Sequence, residues 1–161
     1  MTNKKLSTNF WLSELIASNT ATRYNIDNNP NSVIEQHLQE SCDNLWQPTR
    51  DILGKPMLIS SGYRSPRLNA LVKGSTTSAH MHGYAIDFTC PAIGIPNQIV
   101  KIICKAFKEK GIKFDQIILE YPDNKNGGWV HLGYKNHKGL QRGQMLTKKQ
   151  GTGYLTSDFT K

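Results

Sequence analysis

Apolar and polar positions alternate along this chain in two periods, and each marks a different kind of element. In the stretch 33–54, VIEQHLQESCDNLWQPTRDILG, Ile34, Leu38, Cys42, Leu45, Thr49, Ile52 and Leu53 recur at helical spacing, which predicts an amphipathic helix with one face on the core. Pro48 must kink that helix or start a new one, because it lacks an N–H and crowds the preceding turn. A short opening helix is predicted over LSELIAS with Ser13 as N-cap. Another is predicted over SPRLNALV, with Ser65 as cap and Pro66 in the first helical position. The clearest is NQIVKIICKAFKEKG, where Ile99, Ile102, Ile103, Ala106 and Phe107 form the apolar stripe and Gly111 ends the helix.

Period-two stretches follow the other pattern. MLISSGY, GYAIDFTC, FDQIILE and WVHLGY each read as a strand, with GQMLT a possible edge strand. Within GYAIDFTC, Tyr84, Ile86 and Phe88 share one face, and Ala85, Asp87 and Thr89 the other; within WVHLGY, Trp129, His131 and Gly133 oppose Val130, Leu132 and Tyr134. Helices grouped early and strands grouped late predict a single α+β domain over 1–161, with an antiparallel sheet, helices on one face and a flexible tail at 147–161.

Composition narrows the picture little until charge is added. With 37% apolar and 20% charged residues the chain is that of a folded globular protein. The longest apolar candidate, 99–107, is interrupted by Lys101 and Lys105, so no membrane insertion is expected. Ser13 and Glu14 interrupt the N-terminal apolar stretch, so no signal peptide is expected either. Cys42, Cys90 and Cys104 are odd in number and fit neither a disulfide framework nor a metal knuckle; they read as reduced, buried residues. A net charge of +8 favours polyanionic surroundings, but scattered lysines and the absence of a finger or aromatic signature argue against specific nucleic-acid binding. A monomer is the default expectation.

The chemistry concentrates in SAHMHGYAIDFTC. His80 and Asp87 flank a glycine that can turn the chain, and His131 projects from the polar side of another strand. Two imidazoles and a carboxylate suit Zn²⁺ with a fourth tetrahedral position left for water. The same residues also fit a structural reading, hydrogen-bonded histidines beside a strand aspartate that needs a partner if buried. His37, His82 and His137 take that structural reading by default.

SGYRSPRLNALV, SAHMHGYAIDF and WVHLGY resemble the zinc D-alanyl-D-alanine carboxypeptidase family, which includes phage endolysin peptidases and shares its metal-site architecture with hedgehog signalling domains. The family pattern S-x-H-x-x-G-x-A-x-D, followed downstream by W-x-H, is met by Ser78, His80, Gly83, Ala85, Asp87, Trp129 and His131. The resemblance implies His80, Asp87 and His131 as ligands of one Zn²⁺ per chain. It implies Arg64 near the metal, binding substrate oxygens; Ser78 reads as a substrate contact or as a brace and cap of its own loop. Many members carry an acidic residue three positions before the last histidine, where this chain has Gly128; Glu120 at the end of FDQIILE becomes the candidate general base, with Asp123 the weaker alternative as a turn former. The implied activity is hydrolysis of a peptide bond in peptidoglycan, as an endopeptidase or D-Ala-D-Ala carboxypeptidase. The enzyme would act on the cell wall after release from the cytoplasm, as a phage lysis or virion-associated protein does. A zinc-binding wall-recognition or assembly module without catalysis is the rival reading, kept open by Gly128.

Overall fold

The computed structural model describes residues 3–161. The chain opens with two short helices, α1 (Leu12–Ile16) and α2 (Asn19–Arg23), followed by α3 (Ser32–Ser41), a π-helical turn (Cys42–Trp46) and α4 (Gln47–Leu53). After β1 (Leu58–Ser61) come α5 (Pro66–Leu71), a 3₁₀ turn (Ala79–His82), β2 (Ala85–Thr89) and the long α6 (Pro96–Lys110). Four strands complete the domain: β3 (Gln116–Glu120), β4 (Trp129–Gly133), β5 (Gln144–Lys148) and β6 (Tyr154–Thr156).

Pro48 explains the π turn. The wider turn precedes a fresh helical segment in which Pro48 occupies one of the first two positions, where a missing N–H costs nothing. Ser65 caps α5 as expected, accepting from Leu68 N at 3.3 Å. The start of α1 differs from expectation: Trp11 is the N-cap, its N–H held by the Glu14 carboxylate at 3.2 Å, and Ser13 lies inside the helix. An acidic side chain reaching back one turn displaces the serine from the capping role.

The six strands form one sheet in the order β1-β2-β4-β3-β5-β6. Every neighbouring pair is antiparallel except β3 and β5, which run parallel, so the sheet is mixed where an antiparallel one was expected. The loop 134–143 makes this possible: it carries the chain from the end of β4 back to the start of β3, so β5 enters beside β3 in the same direction. The tail is also more organised than its composition suggests. β6 pairs with β5, and Phe159 is buried in the main core.

Strand alternation divides the sheet into two chemically distinct faces. Ile86, Phe88, Ile117, Leu119, Val130 and Leu132 belong to one core with Leu38, Leu45 and Trp46 of the α3–α4 segment and Ile99, Ile103 and Phe107 of α6. Burying each such side chain contributes about 1.5–3 kcal/mol, which is where the fold's stability resides. The three cysteines are free and buried, in line with their sequence reading. The opposite face carries Asp87, His131 and Glu120.

Candidate metal centre

Register brings the site residues into line. Ser61 pairs with Asp87, Asp87 with His131, and His131 with Ile118, so one row across β1, β2, β4 and β3 runs through both strand-borne candidate ligands. His80 approaches from the 3₁₀ turn just before β2. Ser78 caps that turn by accepting from His80 N at 3.3 Å, and Gly83 ends it in the left-handed conformation (φ 73°) that lets the chain swing into the strand. Gly83 also lies so close to Ile34 that a Cβ would come within 3.0 Å of its carbonyl oxygen.

The three side chains meet around one Asp87 oxygen. His80 Nε2 lies 3.4 Å and His131 Nδ1 3.1 Å from Asp87 Oδ1, and all three residues are buried. The candidate ligand atoms lie within 4.8 Å of one another. In a tetrahedral zinc site with bonds of about 2.0–2.2 Å, ligand atoms are separated by about 3.3–3.6 Å; the two separations from Asp87 Oδ1 lie close to this and the donor set suits the ion. His80 Nδ1 is 2.8 Å from the Gly62 carbonyl; donating its proton there leaves Nε2 as the lone-pair nitrogen, the second contact that ligating histidines usually make. Gly62 is obligatory here, because a Cβ would meet the Leu15 carbonyl oxygen of α1 at 2.2 Å.

Electrostatics follow from the convergence. Burial alone would raise Asp87, but His80 and His131 hold its carboxyl far below the ordinary range. Burial lowers His80 against the pull of Asp87, keeping it neutral. Burial opposes protonation of His131 too, yet its hydrogen bond to Asp87 together with the Asp87 and Glu120 charges outweighs it and raises the pKa.

Arg64 stands beside this cluster. Its Nη2 is 3.4 Å from Asp87 Oδ2, while Nε donates to Ser61 Oγ at 3.1 Å and Nη1 to Asn69 Oδ1 at 3.3 Å. Its backbone N–H donates to the His80 carbonyl at 3.1 Å, coupling the SGYRS segment to the 3₁₀ turn. Asn69, buried and absent from the sequence reading, steadies the guanidinium; nothing in its position as an ordinary α5 residue signals that role. Arg67 is exposed, in line with its place on a surface helix.

Glu120 lies on the same sheet face, two residues from Ile118 and paired with Trp129. Desolvation raises its pKa, the Asp87 charge adds to the rise, and His131 and the nearby Trp129 indole oppose it. That indole N–H is buried without a hydrogen bond of its own. Asp123 sits in an exposed turn beyond β3. Gly128 explains why the commoner acidic position is not used: its φ is 75°, and a Cβ would fall 1.9 Å from the Glu120 carbonyl oxygen and 2.6 Å from that of Tyr121. No side chain of any kind fits there without displacing the end of β3.

Arg64, His80, Asp87, Glu120 and His131 line a cleft of about 550 Å³ that also takes in Ser78, Trp129, Tyr154, Asp115 and Arg142. Arg142, Asp115 and Tyr154 carry no signal in the sequence, since they follow no local motif and reach the cleft only through sheet topology. His37 is held in a structural role: its Nδ1 contacts the His82 carbonyl at 2.7 Å and its ring stacks on Tyr84.

The chain is thus an α+β domain whose mixed sheet carries a buried His/Asp/His group, able to hold a metal ion, beside an open cleft. The family model for Peptidase M15 matches residues 8–121, about seven-tenths of the sequence, and the chain belongs to this family of metal-dependent peptidases. No curated protein matches the chain. No helix among the described residues is long and apolar enough to cross a membrane.

Proposed function

We propose that the protein is a zinc-dependent peptidase that hydrolyses peptide bonds of bacterial peptidoglycan. The observation that carries this reading is the convergence of His80 Nε2, Asp87 Oδ1 and His131 Nδ1, with His80 and His131 3.4 and 3.1 Å from the Asp87 oxygen, in the wall of an open cleft. These three residues would hold one zinc ion, which when bound supplies Lewis acidity to polarise a carbonyl and acidify water.

The chain's own residues supply the rest. Glu120, desolvated and on the same face as His131, takes the proton of the attacking water and returns it to the departing amine. Arg64, steadied by Ser61 and Asn69, presents its guanidinium to the substrate carbonyl as negative charge develops. Ser78 caps the His80 turn and borders the cleft, where it meets substrate. Trp129 forms part of the wall beside Glu120.

An open cleft accommodates an extended peptide on both sides of the scissile bond, which favours endopeptidase over carboxypeptidase action. A basic chain with a net charge of +8 suits an anionic envelope and is compatible with a phage lysis or virion-associated role. The packing of Gly128 gives a steric reason for the missing acid there, so its absence alone does not favour a silent binding module.

The test is mass spectrometry of purified peptidoglycan digested with and without a chelator, alongside Glu120→Gln. New peptide termini that vanish on chelation, together with a variant that retains zinc but loses about 10²–10⁴-fold in rate, are the expected results. Wild-type rates in Glu120→Gln would move the base elsewhere, and an inert wild type on every muropeptide would refute the hydrolase reading.

A further inference from the structure

One charged group in the cleft has no part in the chemistry above. Arg142 lies at the end of the loop 134–143, just before β5, whereas Tyr154 pairs with Lys148 at the far end of that strand. Its Nε and Nη2 donate to Asp115 Oδ1 and Oδ2, both at 2.8 Å, and its backbone N–H donates to Oδ1 at 3.1 Å. Asp115 is 1% exposed, whereas the Arg142 side chain is 39% exposed. The guanidinium is therefore clamped along one edge by a buried carboxylate and open to the cleft along the other.

Donor arithmetic shows what the open edge can take. A guanidinium has five N–H donors in a planar fork, and Asp115 occupies two of them. Among the described residues, Nη1 has no hydrogen-bond partner. The Nη1–Nη2 edge therefore presents two parallel N–H groups, the geometry that binds a carboxylate in bidentate fashion. The loop that carries it is itself fixed: Asn136, buried, accepts from the N–H groups of Lys138 and Leu140 at 2.9 Å each, and Gly143 N donates to the Phe114 carbonyl at 3.0 Å. A rigidly held fork costs little ordering entropy on binding.

Register sets its distance from the chemistry. His131 pairs with Ile118, and Asp115 lies three residues earlier on the same chain, about 10 Å along the strand direction. In an extended peptide that is about three residues.

We propose that Arg142, braced by Asp115, forms a subsite for a free carboxylate carried by the substrate two to three residues from the scissile bond. The inference rests on the peptidase reading above and adds to it a substrate class: peptides with an acidic side chain or an unamidated α-carboxyl at that distance. Because Asp115 already balances the Arg142 charge, recognition comes mainly from the two hydrogen bonds, and about a tenfold preference is expected.

The experiment uses zinc-loaded Glu120→Gln and calorimetric titration with two synthetic peptides that differ only in a carboxylate or carboxamide at that place; wild-type kcat/KM is measured on the same pair. Binding about tenfold tighter for the carboxylate peptide is expected. The preference should collapse toward one in the double substitution Asp115→Asn with Arg142→Gln, which leaves no buried charge unpaired and whose fold is checked by thermal unfolding. In Arg142→Lys, which keeps the charge but loses the fork, the preference should fall. Equal affinities in Glu120→Gln, or a full preference surviving in the folded double variant, overturn the subsite whatever the cleavage result. An affinity difference without cleavage of either peptide by wild type supports the subsite and counts against hydrolysis of these two peptides alone, the hydrolase reading being decided by the muropeptide digest.

Discussion

Replacing Gly128 by alanine tests the argument that backbone packing excludes a side chain at that position. Two costs act on the variant. A non-glycine residue at φ 75° pays about 1–2 kcal/mol for the left-handed conformation. The added methyl would also lie 1.9 Å from the Glu120 carbonyl oxygen, an overlap with backbone that only movement of the β3–β4 connection can relieve, at about 1–3 kcal/mol. Gly127 isolates the second cost: its φ is 77°, but a Cβ there meets nothing nearer than Pro96 Cδ at 3.9 Å. Gly127→Ala should therefore pay the conformational cost alone. The difference between the two variants, about 2 kcal/mol, corresponds to about 4–8 °C in Tm for a domain of this size. Calorimetry in the presence of a chelator, so that ligand binding does not shift the midpoint, measures it. Gly128→Ala should also lose peptidase rate beyond Gly127→Ala, because relief of the overlap displaces Glu120. Equal Tm values for the two variants would refute the packing argument, and with it the account of why Glu120 replaces an acid at 128.

Other expectations follow from the same geometry. Burial raises Glu120 above its ordinary value, so in the chelated protein the native state holds that proton more tightly than the unfolded chain. Stability from this group is therefore lost as pH rises from its ordinary value of about 4.5 through the raised one, and chelated Glu120→Gln at pH 7 should unfold no lower than wild type; a clearly lower Tm would contradict the desolvation reading. Arg142→Ala leaves buried Asp115 without its ion-pair partner and should cost about 3–5 kcal/mol by denaturant titration, more than Arg67→Ala, which should lie within about 0.5 kcal/mol of wild type. Burial pushes the Cys104 thiol up to about 12 and raises Cys42 as well, so neither should react with a thiol reagent at pH 8 until the protein unfolds. His131→Ala should fail to retain stoichiometric zinc after dialysis while keeping its far-UV circular dichroism, since the core lies on the opposite face of the sheet.

How much could be read in advance depended on whether the signal was local. The faces of β2 and β4 were legible because strict alternation forces Asp87 and His131 away from Ile86, Phe88, Val130 and Leu132. Ser65 and Gly111 announced their helix ends because capping chemistry depends on a few adjacent residues. The β3–β5 parallel pairing was not legible, since nothing within Gln144–Lys148 says which edge it will join or in which direction. Asn69 and the Asp115–Arg142 pair were missed for the same reason: each meets its partner only once the strands are ordered. Gly128 was visible as a departure from pattern, but its cause, the nearness of the Glu120 carbonyl, exists only in three dimensions.

The order of the strands has a consequence for synthesis. Arg64, His80, Asp87, Glu120 and His131 all lie within or before β4, whereas β5, which closes the free side of β3, is made later. While the nascent chain waits for it, β3 presents unpaired backbone groups along an apolar-backed strand, the kind of surface that captures a stray strand from another molecule. Premature termination after β4 would thus yield a polypeptide that carries every residue proposed for metal binding and catalysis and yet tends to aggregate.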